Sequence, residues 1–197
     1  IYNPQGMINN VEFRSRSVRL PRNTDRYNPN LKLTSCYKYE TKTSPNVCVD
    51  PAPFQNTNQK SCQVGSVPVG GGQGGPVGVS SLNVDMVGDR AIVRAQITNF
   101  GNGQVLSSNV DLRNCDSPNM NFQQLNRVRF NMDLSGGQKV QCTPSSNEAT
   151  LVDGRATVTC TFMIGGESEF TTPLNLELDY SYRDSITKQI EIIKTPR

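Results

Sequence analysis

The chain contains no histidine and no tryptophan. Without histidine, neither a Ser-His-Asp nor a Cys-His nucleophile system can be built. Without tryptophan, a sugar-binding reading loses its best aromatic platform. None of the six cysteines stands in a C-x-x-C pair, and no histidine completes a ligand set, so structural zinc is not expected. No apolar run approaches the ~18 residues of a membrane span. No N-x-[ST] sequon occurs, so N-linked glycans are not expected by the common rule. The chain opens on Ile1 without the basic and apolar stretches of a signal segment. A signal or anchor is therefore expected to be cleaved off or to lie outside these residues. Hydrophobic residues make up only 35%. That core is thin for the length, so some segments should lean on cross-links or on another chain.

What is present is strand pattern. In Pro173–Tyr182, Leu174, Leu176, Leu178, Tyr180 and Tyr182 share one parity, while Asn175, Glu177, Asp179 and Ser181 share the other. A helix would scatter these leucines around its circumference; a strand puts them on one buried face. The same alternation recurs at Leu82–Met86, Ala91–Thr98, Arg127–Leu134 and Ala156–Ile164. Asp153-Gly154 is a hairpin dipeptide. Arg183-Asp184-Ser185 is expected to turn the chain into a last strand, Ile186–Ile193. Seven or eight short strands with turn signals between them predict an all-β, antiparallel, immunoglobulin-like β-sandwich. No segment carries a convincing helical period.

Six dispersed cysteines, an even number, predict three disulfides and an oxidising compartment: Cys36, Cys48, Cys62, Cys115, Cys142 and Cys160. Cys142 and Cys160 flank the Asp153-Gly154 region, and a bridge between them closes a loop of about 18 residues, worth roughly 3 kcal/mol on the chain-entropy model. Tyr37, Tyr39 and Thr41 alternate before Thr43-Ser44-Pro45-Asn46, with Val47 and Val49 beyond. That pattern suggests a small hairpin placing Cys36 opposite Cys48. Cys48–Cys62 is the rival pairing, and Cys115 then takes Cys62 or Cys36. The glycine-rich run at 69–78 lacks the G-x-x-x-x-G-K-[ST] pattern and reads as a joint, not a phosphate loop.

Three segments follow: an extended basic arm at 1–35, a Cys-rich module with its joint at 36–75, and the sandwich at 76–197. The arm holds six cations against two carboxylates, a surplus of four, while the whole chain carries only +3. NVEFRSRSVRL within it reads as a strand with no hairpin mate nearby. Its apolar residues are Val11, Phe13, Val18 and Leu20, interleaved with Arg14, Arg16 and Arg19. A docked or loose terminus is the plain reading. Addition of the arm as a strand to a neighbouring subunit's sheet is the sharper one. Nucleic acid is not expected, because the arginines come without aromatic stacking residues or a known binding motif.

The segment SLNVDMVGDRAIVRAQITNFGNGQV resembles the opening of CARDB-like and related immunoglobulin-like domains of prokaryotic surface proteins. CYKYETKTSPNVCVDPAP, GGQGGPVGV and TTPLNLELDYSYRDSITKQIEI are similar to pieces of an uncharacterised group of archaeal surface proteins. Together these cover about residues 36–194. The resemblance implies an extracellular, non-enzymatic role and brings no binding residues with it.

The expectation is an extracellular structural subunit that assembles with copies of itself into a surface filament or layer by donating the arm. Val11, Phe13, Val18 and Leu20 are the expected anchors at the subunit interface, with Arg14, Arg16 and Arg19 as polar contacts. A carbohydrate- or protein-binding module of a larger envelope protein is the alternative, with surface glycans as possible partners. No enzyme activity, cofactor or metal is expected. Most carboxylates fall on wet strand parities or in turns, and Asp111, Asn114 and Asp116 suit loop capping better than calcium.

Overall fold

The computed structural model describes residues 10–15, 18–53, 60–69, 73–117, 120–166 and 168–194. Among them the strands in chain order are β1 (Arg26–Tyr27), β2 (Asn30–Thr43), β3 (Asn46–Val49), β4 (Ser66–Val67), β5 (Val77–Val87), β6 (Arg90–Asn99) and β7 (Gln104–Leu106). They continue as β8 (Arg127–Leu134), β9 (Gly137–Thr143), β10 (Glu148–Thr150), β11 (Arg155–Ile164), β12 (Phe170–Gln189) and β13 (Ile192–Ile193). The only helical pieces among the described residues are single 3-10 turns at Leu112–Asn114 and Phe122–Gln124. The chain divides into two units: a body, residues 34–185, and a ribbon, residues 1–33 with 186–197.

The body is all-β and antiparallel. One sheet has the order β10-β8-β12-β2, with β3 and β7 also paired to β12. The other has the order β4-β5-β6-β11-β9. β12 is the organising strand: Leu174 to Asp179 lie opposite Leu134 to Arg129, Phe170 to Pro173 opposite Val49 to Asn46, and Ser181 opposite Leu106. Its leucines and both tyrosines are buried on one parity, as the alternation predicts. They join Val93, Ala95, Ile97, Val158 and Phe162 of the other sheet in a single core. Apolar side chains of two sheets facing one another are the cheapest way to dry both patterned faces at once.

Three expectations are corrected. β3 does not fold back on β2; both lie along β12. The Leu174 N–H donates to the Pro45 carbonyl at 2.9 Å, so the presumed turn is extended chain. Proline has no N–H to return the bond, which breaks the ladder there without reversing the chain. Twelve residues of extended chain span about 40 Å, far beyond disulfide reach, so Cys36–Cys48 is excluded. The bridges are Cys36–Cys115, Cys48–Cys62 and Cys142–Cys160. Next, Arg183–Ser185 makes no turn: β12 runs through it to Gln189. No Gly or Pro interrupts that stretch. Lastly, the Cys-rich module is no separate unit, because β3 and β4 are strands of the two body sheets.

In the ribbon, Arg26 and Tyr27 lie opposite Ile193 and Ile192. Ile190 N–H donates to Pro29 O at 3.0 Å and Lys194 N–H to Asp25 O at 2.9 Å, in the same register. The second half of the expected arm therefore has a mate, 165 residues away in sequence at the Arg26–Glu191 pair. Of the expected NVEFRSRSVRL strand, the described residues 10–15 and 18–20 lie in no strand, and residues 16 and 17 lie outside the described residues.

Candidate assembly surface

Four tyrosines on facing positions of β2 and β12 close one end of the body. Tyr39 stacks on Tyr180 at 5.8 Å, and Tyr37 lies 5.9 Å from Tyr182. The hydroxyls of Tyr39, Tyr180 and Tyr182 are tied to backbone. Val77 N–H donates to Tyr180 Oη at 3.2 Å, Gly103 N–H to Tyr182 Oη at 2.8 Å, and Tyr39 donates to Gly74 O. Thr41 Oγ1 donates to Val77 O at 2.8 Å and sits 3.0 Å from Tyr180 Oη. Burial pushes the Tyr180, Tyr182 and Tyr37 hydroxyls above the ordinary tyrosine value; for Tyr180 and Tyr182 hydrogen bonds oppose the shift. The glycines here are contact glycines. A Cβ at Gly75 would lie 2.4 Å from Thr41 Oγ1, and one at Gly101 would lie 2.2 Å from Tyr182 Oη. Three of the four hydroxyls, those of Tyr39, Tyr180 and Tyr182, are held by backbone groups, so the cluster clasps β2 to β12.

The arm residues expected at a subunit interface are open. Val11 and Phe13 are each 72% exposed and Val18 is 57% exposed. Leu20 is half-buried and Arg19 exposed. Arg14 forms an exposed ion pair with Glu12 at 2.8 Å. Arg16 lies outside the described residues. Among the described residues, no strand gathers these side chains into one face.

Sheet edges are the surfaces to which an extra strand could add. The β5 edge is blunted twice: β4 pairs with it at Leu82 and Asn83, and the Gln73 side-chain amide mimics a strand. Gln73 Nε2 donates to Val79 O at 2.9 Å while Val79 N–H donates to Gln73 Oε1 at 2.8 Å. The β2 edge is covered at one end by the Cys36–Cys115 bridge and the Thr34–Asp116 hydrogen bond of 3.2 Å, and it carries exposed Lys38, Glu40 and Lys42. Charged edges resist adventitious pairing. β9 is different. It is the terminal strand of its sheet, and Gln138, Lys139, Val140 and Gln141 are all exposed. Its one charge, Lys139, is matched by Asp133 at 2.7 Å. Cys142–Cys160 fixes β9 to β11, holding the edge in place. The edge position of β9 depends on which strands neighbour it, which no local pattern encodes.

Two acidic groups serve the loops. Asp111 Oδ1 accepts from Arg113 N–H at 3.1 Å and Oδ2 from Asn114 Nδ2 at 3.2 Å, capping the short turn. Buried Asp50 pairs with Lys60 and accepts from Ala52 N–H at 3.0 Å. A groove of about 490 Å³ between Ser66–Val69 and Ser80–Asn83 has no aromatic ring in its lining. Among the described residues, no helix is long and apolar enough to cross a membrane. No family model matches the chain, and neither the curated proteins nor the solved structures compared with it give a match.

Proposed function

We propose that this chain is an extracellular structural subunit that polymerises into a surface filament or layer, its arm completing the sheet of the next copy. The observation that carries the proposal is the pairing of two features: Val11, Phe13 and Val18 are exposed on a segment whose described residues lie in no strand, and β9 is an exposed terminal strand. Ladder hydrogen bonds to β9 would fix the arm's register, and its apolar residues would gain cover. A head-to-tail contact of this kind gives open fibres where its rotation does not close into a ring. The three disulfides suit an oxidising exterior. The two antiparallel sheets around one core are compatible with an immunoglobulin-like sandwich, which this proposal adopts for the body. Val11→Asp with Phe13→Asp tests the mechanism. The doubly substituted chain is expected to stay monomeric in light scattering where the parent polymerises; equal polymerisation would remove the arm from the account.

A further inference from the structure

The ribbon has two unlike faces. Tyr27, Leu31 and Leu33 share one parity of its first strand path, and Ile186, Ile190 and Ile192 one parity of its second. Tyr27 lies directly opposite Ile192, and directly opposed residues in an antiparallel pair point the same way, so both sets line one face. The opposite face carries Arg26, Asn30, Lys32, Thr187 and Glu191, with Ile193 opposite Arg26 as its one exposed isoleucine. On the apolar face Tyr27 is 44%, Leu31 55%, Leu33 42% and Ile186 64% exposed. Two strands with one dry-seeking face are marginal by themselves in water; they need a third layer or another surface.

We infer that a second copy's body covers this face. The argument is charge. By sequence the ribbon unit holds nine cations and three carboxylates, a net +6, whereas the body unit holds eleven cations and fourteen carboxylates, a net −3. Two ribbons repel one another; a ribbon and another copy's body attract. The ribbon's own carboxylates Asp25 and Glu191 are taken by Lys194 and Arg26 at 3.4 Å each. Lys188 shares the parity of Ile186 and Ile190, so it brings positive charge onto the contact face itself. Apolar contact supplies affinity and the charge difference selects the body over another ribbon. The inference rests on the self-assembly proposed above, but it assigns a second contact on residues the arm does not use.

The experiment is sedimentation velocity over a concentration series, at low and high salt, on the full chain and three variants. One carries Leu31→Thr, Leu33→Thr and Ile186→Thr, which remove apolar area but keep strand propensity. The second is Lys188→Glu, which leaves the apolar contacts in place. The third is the arm variant, Val11→Asp with Phe13→Asp. Each ribbon variant is expected to associate about tenfold or more weakly than the parent, as loss of interface anchors does. Lys188→Glu should also flatten the salt dependence. Ribbon variants that associate like the parent, while the arm variant does not, would overturn the inference and leave the arm reading standing. Loss of association in the ribbon variants with an unaffected arm variant would do the reverse. A parent chain that stays monomeric throughout would overturn both.

Discussion

At Gly101 and Gly103 the missing side chain is what matters, not backbone freedom. A Cβ at Gly101 would meet Tyr182 Oη at 2.2 Å, with the next ring atom at 3.1 Å. At Gly103 it would meet both Tyr182 Cε1 and the Arg183 carbonyl at 2.5 Å. Gly101→Ala should therefore cost about 1–3 kcal/mol in a urea titration, and Tyr182→Phe in the same chain should recover part of it. Gly103→Ala should not be recovered by Tyr182→Phe, because ring carbon and backbone remain in the way. The tyrosines also set a pH response. Burial raises the folded-state value of Tyr180. Its contribution is fully present below about pH 10, where the unfolded chain also keeps its proton. It is lost as pH rises from there through the folded value, because the unfolded tyrosine ionises first. The denaturation midpoint should fall above pH 10, and Tyr180→Phe should make that fall shallower.

Among the elements, β12 carries the body, and its two parities should respond differently. Leu178→Ala leaves a hole in the shared core and should cost about 2–5 kcal/mol. Glu177→Ala, beside exposed Lys42 at 3.1 Å, should change stability by less than about 0.5 kcal/mol. The disulfides should rank by the loop each closes. Cys36–Cys115 spans 79 residues and Cys48–Cys62 spans 14, so double alanine replacement should cost about 4–5 and about 3 kcal/mol respectively. The element scale also shows where sequence reading stops. Period-2 alternation located β5, β6, β8, β11 and the buried face of β12, because local burial writes itself into parity. Asp153-Gly154 formed its turn, with both residues at positive φ. Thr43–Asn46 and Arg183–Ser185 carry turn-like residues yet stay extended, because pairing along β12 outweighs a local preference. β7 ends at Leu106, and beyond it Asp111 caps a 3-10 turn. Long-range partners were the unreadable part: β1 with β13, β3 with β12, and Cys36 with Cys115 join residues whose separation leaves no local trace. For the assembly surface, the apolar and basic residues of the arm were visible in sequence. The exposed edge of β9, and the fact that residues 26–33 already have a mate, were not.

For the whole molecule, charge and exposure give one account. In the proposed assembly, a positively charged ribbon unit and a negatively charged body unit would make encounters between copies directional, and added salt should slow them. The arm, β9 and the apolar ribbon face are features that a single copy leaves open. The most direct test is negative-stain microscopy with light scattering on the intact chain and on a chain beginning at Pro21. That truncation removes Val11, Phe13 and Val18 but keeps both ribbon strands. Long polymers from the intact chain and single copies from the truncated one are the expected result. Polymers of the same length from both would contradict the claim that the arm joins one copy to the next.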